Sequence, residues 1–206
     1  MTMGKRRLII SNVLIILFLL SGMAFLYFYG LSGRVYLDKA LVKRVERPES
    51  SYFLWRESGI KGRVLFLFDR HIHDVATGEE VNEWNYIYKA MRNNFVRKVY
   101  HVVPDSAWND VSAVLGKSER AERVGDGFRF VIEGMPVMVM RIKDVTAVGE
   151  KVLIDVNADW WGGDDLIKVA QLVKDRALQS DLITVSGGSP EIGLEMFGLV
   201  DAKPGY

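Results

Sequence analysis

The stretch Arg63-Val64-Leu65-Phe66-Leu67-Phe68-Asp69-Arg70-His71-Ile72-His73-Asp74 decides the fold of this chain. Its apolar run, residues 64–68, is typical of a strand that is buried on both faces, as in the parallel sheet of an α/β protein. The polar end of the stretch contains two of the chain's three histidines. Because ligands of open α/β sheets bind at the carboxyl ends of the strands, we expect a functional site directly after this strand.

The rest of the chain alternates strand-like and helix-like patterns around this strand. This order predicts an α/β domain of three layers, with a mostly parallel sheet and helices on both faces. Residues 118–127 are polar and are predicted to form a surface loop. We expect helices at 50–58, 79–95, 107–115 and 164–177, strands at 98–104, 151–159 and 181–186, a β-hairpin at 128–142, and a last helix after Ser189.

Charge and cysteine usage exclude several classes of protein. The chain has 206 residues, with 27 Lys and Arg against 26 Asp and Glu. This balance argues against a nucleic-acid-binding protein, which needs a basic surface. The absence of cysteine excludes disulfides, cysteine-ligated zinc and thiol nucleophiles.

Residues 8–29 form a charge-free apolar segment that is long enough to cross a bilayer as one helix. We expect a transmembrane signal anchor rather than a cleaved signal peptide, because the apolar core of a signal peptide is shorter. Lys5, Arg6 and Arg7 favour a single-pass orientation with the N-terminus in the cytoplasm and the domain outside it, although the bases within 34–44 oppose this. The expected organisation is a cytoplasmic end and anchor at 1–30, a juxtamembrane stalk at 31–48, helical over 37–45, and an α/β domain at 49–206.

Two predicted strand ends contain residues that can bind metal ions. Asp69, His71 and His73 alternate along an extended segment, so their side chains can share one side. Asp155 and Asp159 follow the strand at 151–159. Carboxylate and imidazole together suit zinc, iron or manganese. The alternative is structural: a polar loop with hydrogen-bonded histidines, and an Asp155 that accepts bonds from backbone amides.

The turn Gly187-Gly188-Ser189-Pro190 could bind an anion through its backbone N–H groups. Neither the lysine of a phosphate-binding loop nor the full Gly-x-Gly-x-x-Gly pattern is present. Nucleotide or phosphate binding is therefore the weakest of the functional interpretations.

Several segments resemble a known fold family. Residues 67–74 resemble the Asp-x-His-x-Asp strand end of the arginase/deacetylase (ureohydrolase) fold. Residues 154–161 are similar to its second acidic strand end, and closer to the Asp-Ile-Asp-x-Asp-Phe-Phe pattern of an uncharacterised arginase-like family. Residues 48–55 and 100–104 are similar to further segments of that family, so the resemblance covers roughly 49–193.

This resemblance implies a metal-dependent hydrolase that acts on a C–N bond (amide, guanidino or amidino) of a small-molecule or peptide substrate. It implies one divalent metal ion, zinc, manganese or iron, with His73 or His101 as general base. The implied metal ligands are Asp69, His71, Asp155 and Asp159.

The chain departs from the family pattern at three positions. His73 stands in place of a ligand Asp, Asn157 in place of an Asp of the second strand end, and Ser50 in place of an upstream His. The alternative is therefore a non-catalytic, degenerate arginase-like domain, tethered to the membrane as an accessory or binding subunit with a membrane protein as its partner.

Overall fold

The computed structural model describes residues 41–71, 78–161, 163–174 and 178–188. All of these belong to one compact unit, residues 40–206. The elements in chain order are β1 (Leu41–Val45), α1 (Ser50–Glu57), β2 (Arg63–Phe68), α2 (Tyr86–Arg92), β3 (Val96–Val103), α3 (Trp108–Leu115), β4 (Glu122–Val124), β5 (Gly127–Ile132), β6 (Met135–Arg141), β7 (Lys151–Asn157), α4 (Gly163–Lys174) and β8 (Gln179–Ser186). Short 3₁₀ helices lie at Asp105–Ala107, Ile142–Asp144 and Ala158–Trp160.

The strands form one eight-stranded sheet in the order β1-β8-β7-β2-β3-β6-β5-β4. The six strands from β1 to β6 in that order are mutually parallel, whereas β5 runs antiparallel to β6 and β4 antiparallel to β5. The prediction of an α/β protein with a large, mostly parallel sheet and helices is confirmed.

Strand β2 lies between β7 and β3 near the middle of the sheet, which explains its continuous apolar sequence. Leu67 pairs with Asp155 of β7, so the two strands that end in acids are parallel neighbours. Both faces of β2 are buried: Leu67 belongs to the core that includes Trp55 of α1, and Phe66 stacks on Tyr100 at 4.7 Å between ring centroids.

The predicted β-hairpin is confirmed as β5 and β6. Its two-residue turn consists of Glu133 with φ 49° and Gly134 with φ 76°. Both residues are left-handed, as in the turns whose twist matches that of the flanking strands.

Helix α2 begins at Tyr86, seven residues later than predicted, because two asparagines bind the preceding backbone. The side-chain oxygen of Asn82 accepts a hydrogen bond from the N–H of Trp84 at 3.0 Å, and that of Asn85 accepts one from the N–H of Asn82 at 2.9 Å. Side-chain bonds of this kind favour turns over helix. The apolar spacing before residue 86 therefore belongs to a turn.

Two short strands lie where the sequence predicted other structure. Leu41–Val45 is strand β1 rather than a helix, and it pairs in parallel with β8. Glu122–Val124 is strand β4 rather than loop, and it pairs with β5. Each short strand forms hydrogen bonds with backbone groups along the outer side of its neighbour. Local sequence patterns do not reveal such a pairing.

Within the described parts of the chain, no helix has the length and apolarity to cross a membrane. The predicted anchor at 8–29 and the predicted helix after Ser189 lie outside the described residues. The same is true of His73, Asp74 and residues 175–177.

Candidate functional site

Buried polar side chains gather on one face of the sheet at the carboxyl ends of its central strands. The register pairs Leu67 with both His101 and Asp155, and Asp155 with Thr184, so these side chains lie on the same face. Helices α1 and α2 add two hydroxyl groups to this face. We call this group the edge cluster, and its members are Ser51, Asp69, Tyr86, His101, Asp155, Asn157, Thr184 and Ser186.

Asp155 accepts hydrogen bonds from three hydroxyl groups of the edge cluster. Its Oδ1 accepts hydrogen bonds from Ser51 Oγ at 2.8 Å and from Thr184 Oγ1 at 2.5 Å, and its Oδ2 accepts one from the Tyr86 hydroxyl at 2.9 Å. Burial raises the pKa of Asp155 to about 6, the charge of Asp69 adds to this, and the three hydroxyl donors oppose it. Only 1% of Asp155 is exposed, so hydroxyl groups of the protein take the place of the water molecules that would solvate a free carboxylate.

The neutral hydroxyl of Tyr86 donates a hydrogen bond to Asp155. Burial, followed by the charges of Asp155 and Asp69, raises the pKa of Tyr86 well above its ordinary value. Its hydroxyl therefore keeps its proton at any physiological pH.

Asp69 lies directly after β2 and is fully buried. Its N–H donates to the carbonyl of Val102 at 3.2 Å, which extends the pairing between β2 and β3 by one residue. Its Oδ1 accepts a hydrogen bond from the N–H of His71 at 2.9 Å, and its Oδ2 accepts one from the side-chain amide of Asn157 at 3.0 Å. Both carboxylate oxygens of Asp69 are thus occupied by donors of the protein.

Asn157 connects the ends of β7 and β2, and one of its two side-chain polar atoms lacks a described hydrogen-bond partner. Its amide nitrogen donates to Asp69, while its Oδ1 is buried and has no hydrogen-bond partner among the described residues. Oε2 of Glu49, the residue before α1, is a second buried acceptor without a described partner. Buried acceptors of this kind cost free energy until a donor reaches them.

Asp159 is bound by the glycine turn after β8. The N–H of Gly188 donates to its Oδ1 at 2.8 Å, and a Cβ on Gly187 would lie only 2.3 Å from its Cγ. Both glycines are left-handed, with φ 68° and 67°. An N–H group of this turn therefore binds an anion of the chain itself, the carboxylate of Asp159.

The two described histidines have different surroundings. His101 is 1% exposed, and its Nε2 lies 2.9 Å from the carbonyl oxygen of Asp69. His71 has a side chain that is one-third exposed, with Nδ1 3.6 Å from Oδ1 of Asp69. Its ring meets the half-exposed Trp84 edge to face at 5.7 Å. His71 is therefore the histidine that an approaching ligand can reach, whereas His101 lies beneath Asp69.

The structure places the four predicted metal ligands in three different bonding environments. Asp69 and His71 are adjacent, Asp155 lies in the same cluster with its oxygens bonded to hydroxyl groups, and Asp159 is held by the glycine turn. Among the described residues, no three His, Asp or Glu side chains group as a metal site. The donors around Asp69 and Asp155 form a hydrogen-bonded polar cluster, and metal binding by these residues stays a prediction.

Sequence reasoning missed the three hydroxyl donors to Asp155. Ser51 and Tyr86 occur within helices, where nothing in their spacing marks them. Thr184 and Ser186 are buried polar residues that alternate with the apolar Ile183 and Val185 at the end of β8, and a polar residue at a buried strand position was a usable signal.

A scan against models of protein families finds no match to this chain, and a search of curated proteins finds none either. The arginase-like resemblance therefore rests on the short motifs quoted above.

Proposed function

We propose that this chain is a non-catalytic, arginase-like domain, tethered to the membrane by residues 8–29, which binds a small ligand at the edge cluster. The observation that supports this most is the hydrogen bond from Asn157 to Asp69. A metal ion needs oxygen or nitrogen lone pairs, and here an N–H group points at the carboxylate instead. A hydrogen-bonded pair of this kind holds the two strand ends together without a cation.

The unsatisfied acceptors of the site indicate the chemistry of the ligand. Oδ1 of Asn157 and Oε2 of Glu49 both lack a described donor, so a ligand that supplies N–H groups would satisfy them. The indole of Trp84 is 48% exposed beside His71, and an aromatic face of this kind binds cations. An amidinium, guanidinium or ammonium group combines N–H donors with positive charge and suits all three features.

The experiment uses the full-length protein in detergent and measures its melting temperature with methylguanidinium or methylammonium at low millimolar concentration. We expect a rise in melting temperature by mass action. Asn157→Leu and Trp84→Ala should each reduce that rise. Phe53→Ala is the matched control, since Phe53 is a partly exposed aromatic residue of α1 outside the edge cluster. Equal shifts in all four proteins, or no shift in any of them, would argue against the proposed site.

A second candidate is the metal-dependent C–N hydrolase that the resemblance implies. One observation favours it: Asp69 and His71 lie side by side at 3.6 Å, and the unused oxygen of Asn157 is buried close to them. If zinc, manganese or iron(II) raises the melting temperature in a chelator-reversible way, and His71→Ala removes that gain, the hydrolase becomes the better account. Turnover of an amide or guanidine substrate would then be the next measurement.

The membrane tether is tested separately. We expect full-length protein to stay in the membrane fraction through a high-salt wash and to require detergent for release. A chain that begins at residue 32 should be released into the aqueous fraction. Recovery of uncleaved full-length protein without detergent would contradict the tether and leave the ligand-binding proposal untouched.

A further inference from the structure

The part of the sheet formed by β4, β5 and β6 has one face in the core of the domain. Phe128, Phe130, Val137 and Val139 lie on this face, in the core that also contains residues of α1, α2 and α3. The fourth described helix, α4, connects β7 to β8, and β2 and β3 separate these two strands from β6. Helices α1 to α3 therefore pack against the first face of β5 and β6, and α4 belongs to the other half of the sheet.

Strand register defines the second face of β4, β5 and β6. Along β5, Arg129 and Val131 alternate with the two core phenylalanines, so they point to the opposite face. Arg129 pairs with Met138 of β6 and with Glu122 of β4, so these three side chains share that face. We call this surface the open face, and its members are Glu122, Val124, Arg129, Val131, Met138 and Met140.

The open face is rich in apolar side chains that solvent can reach. Val131 is 57% exposed and Val124 is 41% exposed, while Met138 and Met140 are half-buried. An antiparallel strand with one solvated face alternates apolar and polar residues. Residues 135–140 of β6 are apolar at every position instead, which is typical of a strand with both faces covered. A contiguous exposed apolar surface of this kind marks an interaction site.

The exposed charges of the open face are balanced. Glu122 and Arg129 lie directly opposite each other on neighbouring strands. Lys98, a base of β3 on the same side of the sheet, lies over the ring of Tyr100, with Nζ 4.3 Å from the ring centroid. A surface with one exposed acid beside one exposed base is complementary to a second copy of itself. A twofold axis through the face brings Glu122 of each copy to Arg129 of the other.

We infer that the open face is the interface of a symmetric homodimer, in which β4, β5 and β6 of two copies pack face to face. Packed sheets lie about 10 Å apart with interdigitated side chains, and methionine side chains adapt to such an interface. An edge-to-edge dimer is disfavoured, because β4 has three residues and two of them are charged. This inference goes beyond the proposed function and is independent of what the edge cluster binds.

The test measures the mass of the full-length protein in detergent by light scattering after size-exclusion chromatography, with the detergent contribution subtracted. We expect twice the mass of one chain, which is 23.4 kDa. Val131→Lys places a charge in the apolar interface, so it should give the mass of one chain with a cooperative thermal transition. Val114→Lys is the matched control, since Val114 is a 68% exposed valine of α3 outside the open face, and this variant should remain a dimer.

A charge exchange tests the twofold arrangement without altering the apolar residues. Glu122→Arg sets two bases against each other across the axis, and Arg129→Glu sets two acids against each other. Each variant alone should therefore have a dimer dissociation constant raised by about tenfold or more. Mixing the two variants, at a concentration where each alone has the mass of one chain, should restore the mass of two chains. Pairing within one copy cannot produce that result, because both variants have lost it.

Several results would overturn the inference. A wild-type protein with the mass of one chain would do so, and a lowered melting temperature of Val131→Lys would then show that the open face is covered within the same chain. A dimer that survives Val131→Lys, or one that Val114→Lys dissociates as completely, would place the interface elsewhere. Charge variants that dimerise as tightly as wild type, or monomeric variants that fail to associate when mixed, would rule out the twofold contact between Glu122 and Arg129.

Discussion

The side-chain amide of Asn157 donates a hydrogen bond to Oδ2 of Asp69 at 3.0 Å, and this bond joins the ends of two adjacent parallel strands. Each residue is buried, and the amide provides a donor where a second carboxylate would repel the first. The identity of residue 157 therefore decides whether this end of the sheet is stable without a cation.

Asn157→Asp tests that role directly. The variant loses the donor and sets two buried carboxylates side by side, so we expect a loss on the order of 3 kcal/mol at pH 8 in the presence of chelator. The loss should shrink toward pH 5, where one carboxyl takes up a proton. If the site is a degenerate metal centre, zinc or manganese should restore stability to the variant and leave wild type unchanged. Chemical denaturation with chelator or metal measures both effects.

Asn109→Asp is the matched control for that variant. Asn109 is an exposed residue of α3, so the same chemical change should alter stability by less than about 0.5 kcal/mol and confer no response to metal. An Asn157→Asp variant as stable as the control would show that the bond to Asp69 contributes little.

Asp155 should give the protein a pH dependence of opposite sign to that of an ordinary salt-bridged acid. Its pKa is about 6 in the folded protein against 3.8 ordinarily, so the folded state binds more protons than the unfolded state between those values. This group therefore stabilises the fold fully below pH 3.8, and the contribution is lost as the pH rises through 6. A shift of this size corresponds to about 3 kcal/mol.

Asp155→Asn isolates this contribution, because an amide of the same shape cannot titrate. We compare the free energy of unfolding of wild type with that of the variant. The difference, wild type minus variant, should fall as the pH rises from 4 to 7 and should level off above pH 7. Urea denaturation of both proteins across this range supplies the difference. A flat difference curve would mean that Asp155 titrates near its ordinary pKa.

Tyr86→Phe removes one of the three hydroxyl donors to Asp155. A buried hydrogen bond to a charged group contributes about 1.5–3 kcal/mol, so the variant should lose that much at pH 8. The loss should be smaller at pH 5, where Asp155 is largely protonated. Tyr88→Phe is the control: Tyr88 donates to Glu133 at the surface, where the expected loss is below about 0.5 kcal/mol. Similar losses in the two variants would contradict the central place of Tyr86 in the edge cluster.

The framework of this fold could be predicted from the sequence, and much of the site could not. The apolar run 64–68 and the shorter apolar run 152–154 identified two buried strands whose ends bear Asp69 and Asp155, because both faces of a central strand must be apolar. Strand β1 could not be found, since its formation depends on the outer side of β8 rather than on its own sequence. The donors to Asp155 come from α1, α2 and β8, and only the tertiary fold brings them together.

Asp159 illustrates the same limit within a single motif. Its position after a buried strand predicted a ligand that points toward Asp69, and the structure instead pairs it with the Gly187–Gly188 turn. Sequence spacing gives the strand end to which an acid belongs. It does not give the side on which a short 3₁₀ helix then turns the side chain.

Gly187→Ala tests how far the fold depends on that pairing. Gly187 has φ 68°, and an added Cβ would lie 2.3 Å from Cγ of Asp159, so strain and overlap both act against alanine. Gly134→Ala is the matched control, because Gly134 has φ 76° with open space around the added Cβ. We expect losses of about 2–3 kcal/mol for Gly187→Ala and about 1 kcal/mol for Gly134→Ala, measured by chemical denaturation.

The double variant Gly187→Ala with Asp159→Ala separates the two causes of that loss. Removing the carboxylate removes the overlap and leaves the backbone strain, so the cost of alanine at 187 in the Asp159→Ala background should fall to about the Gly134→Ala value. If the cost is the same in both backgrounds, the carboxylate of Asp159 does not pack against this turn in solution. Asp159 would then be available to the edge cluster, and the case for a metal ligand at this position would strengthen.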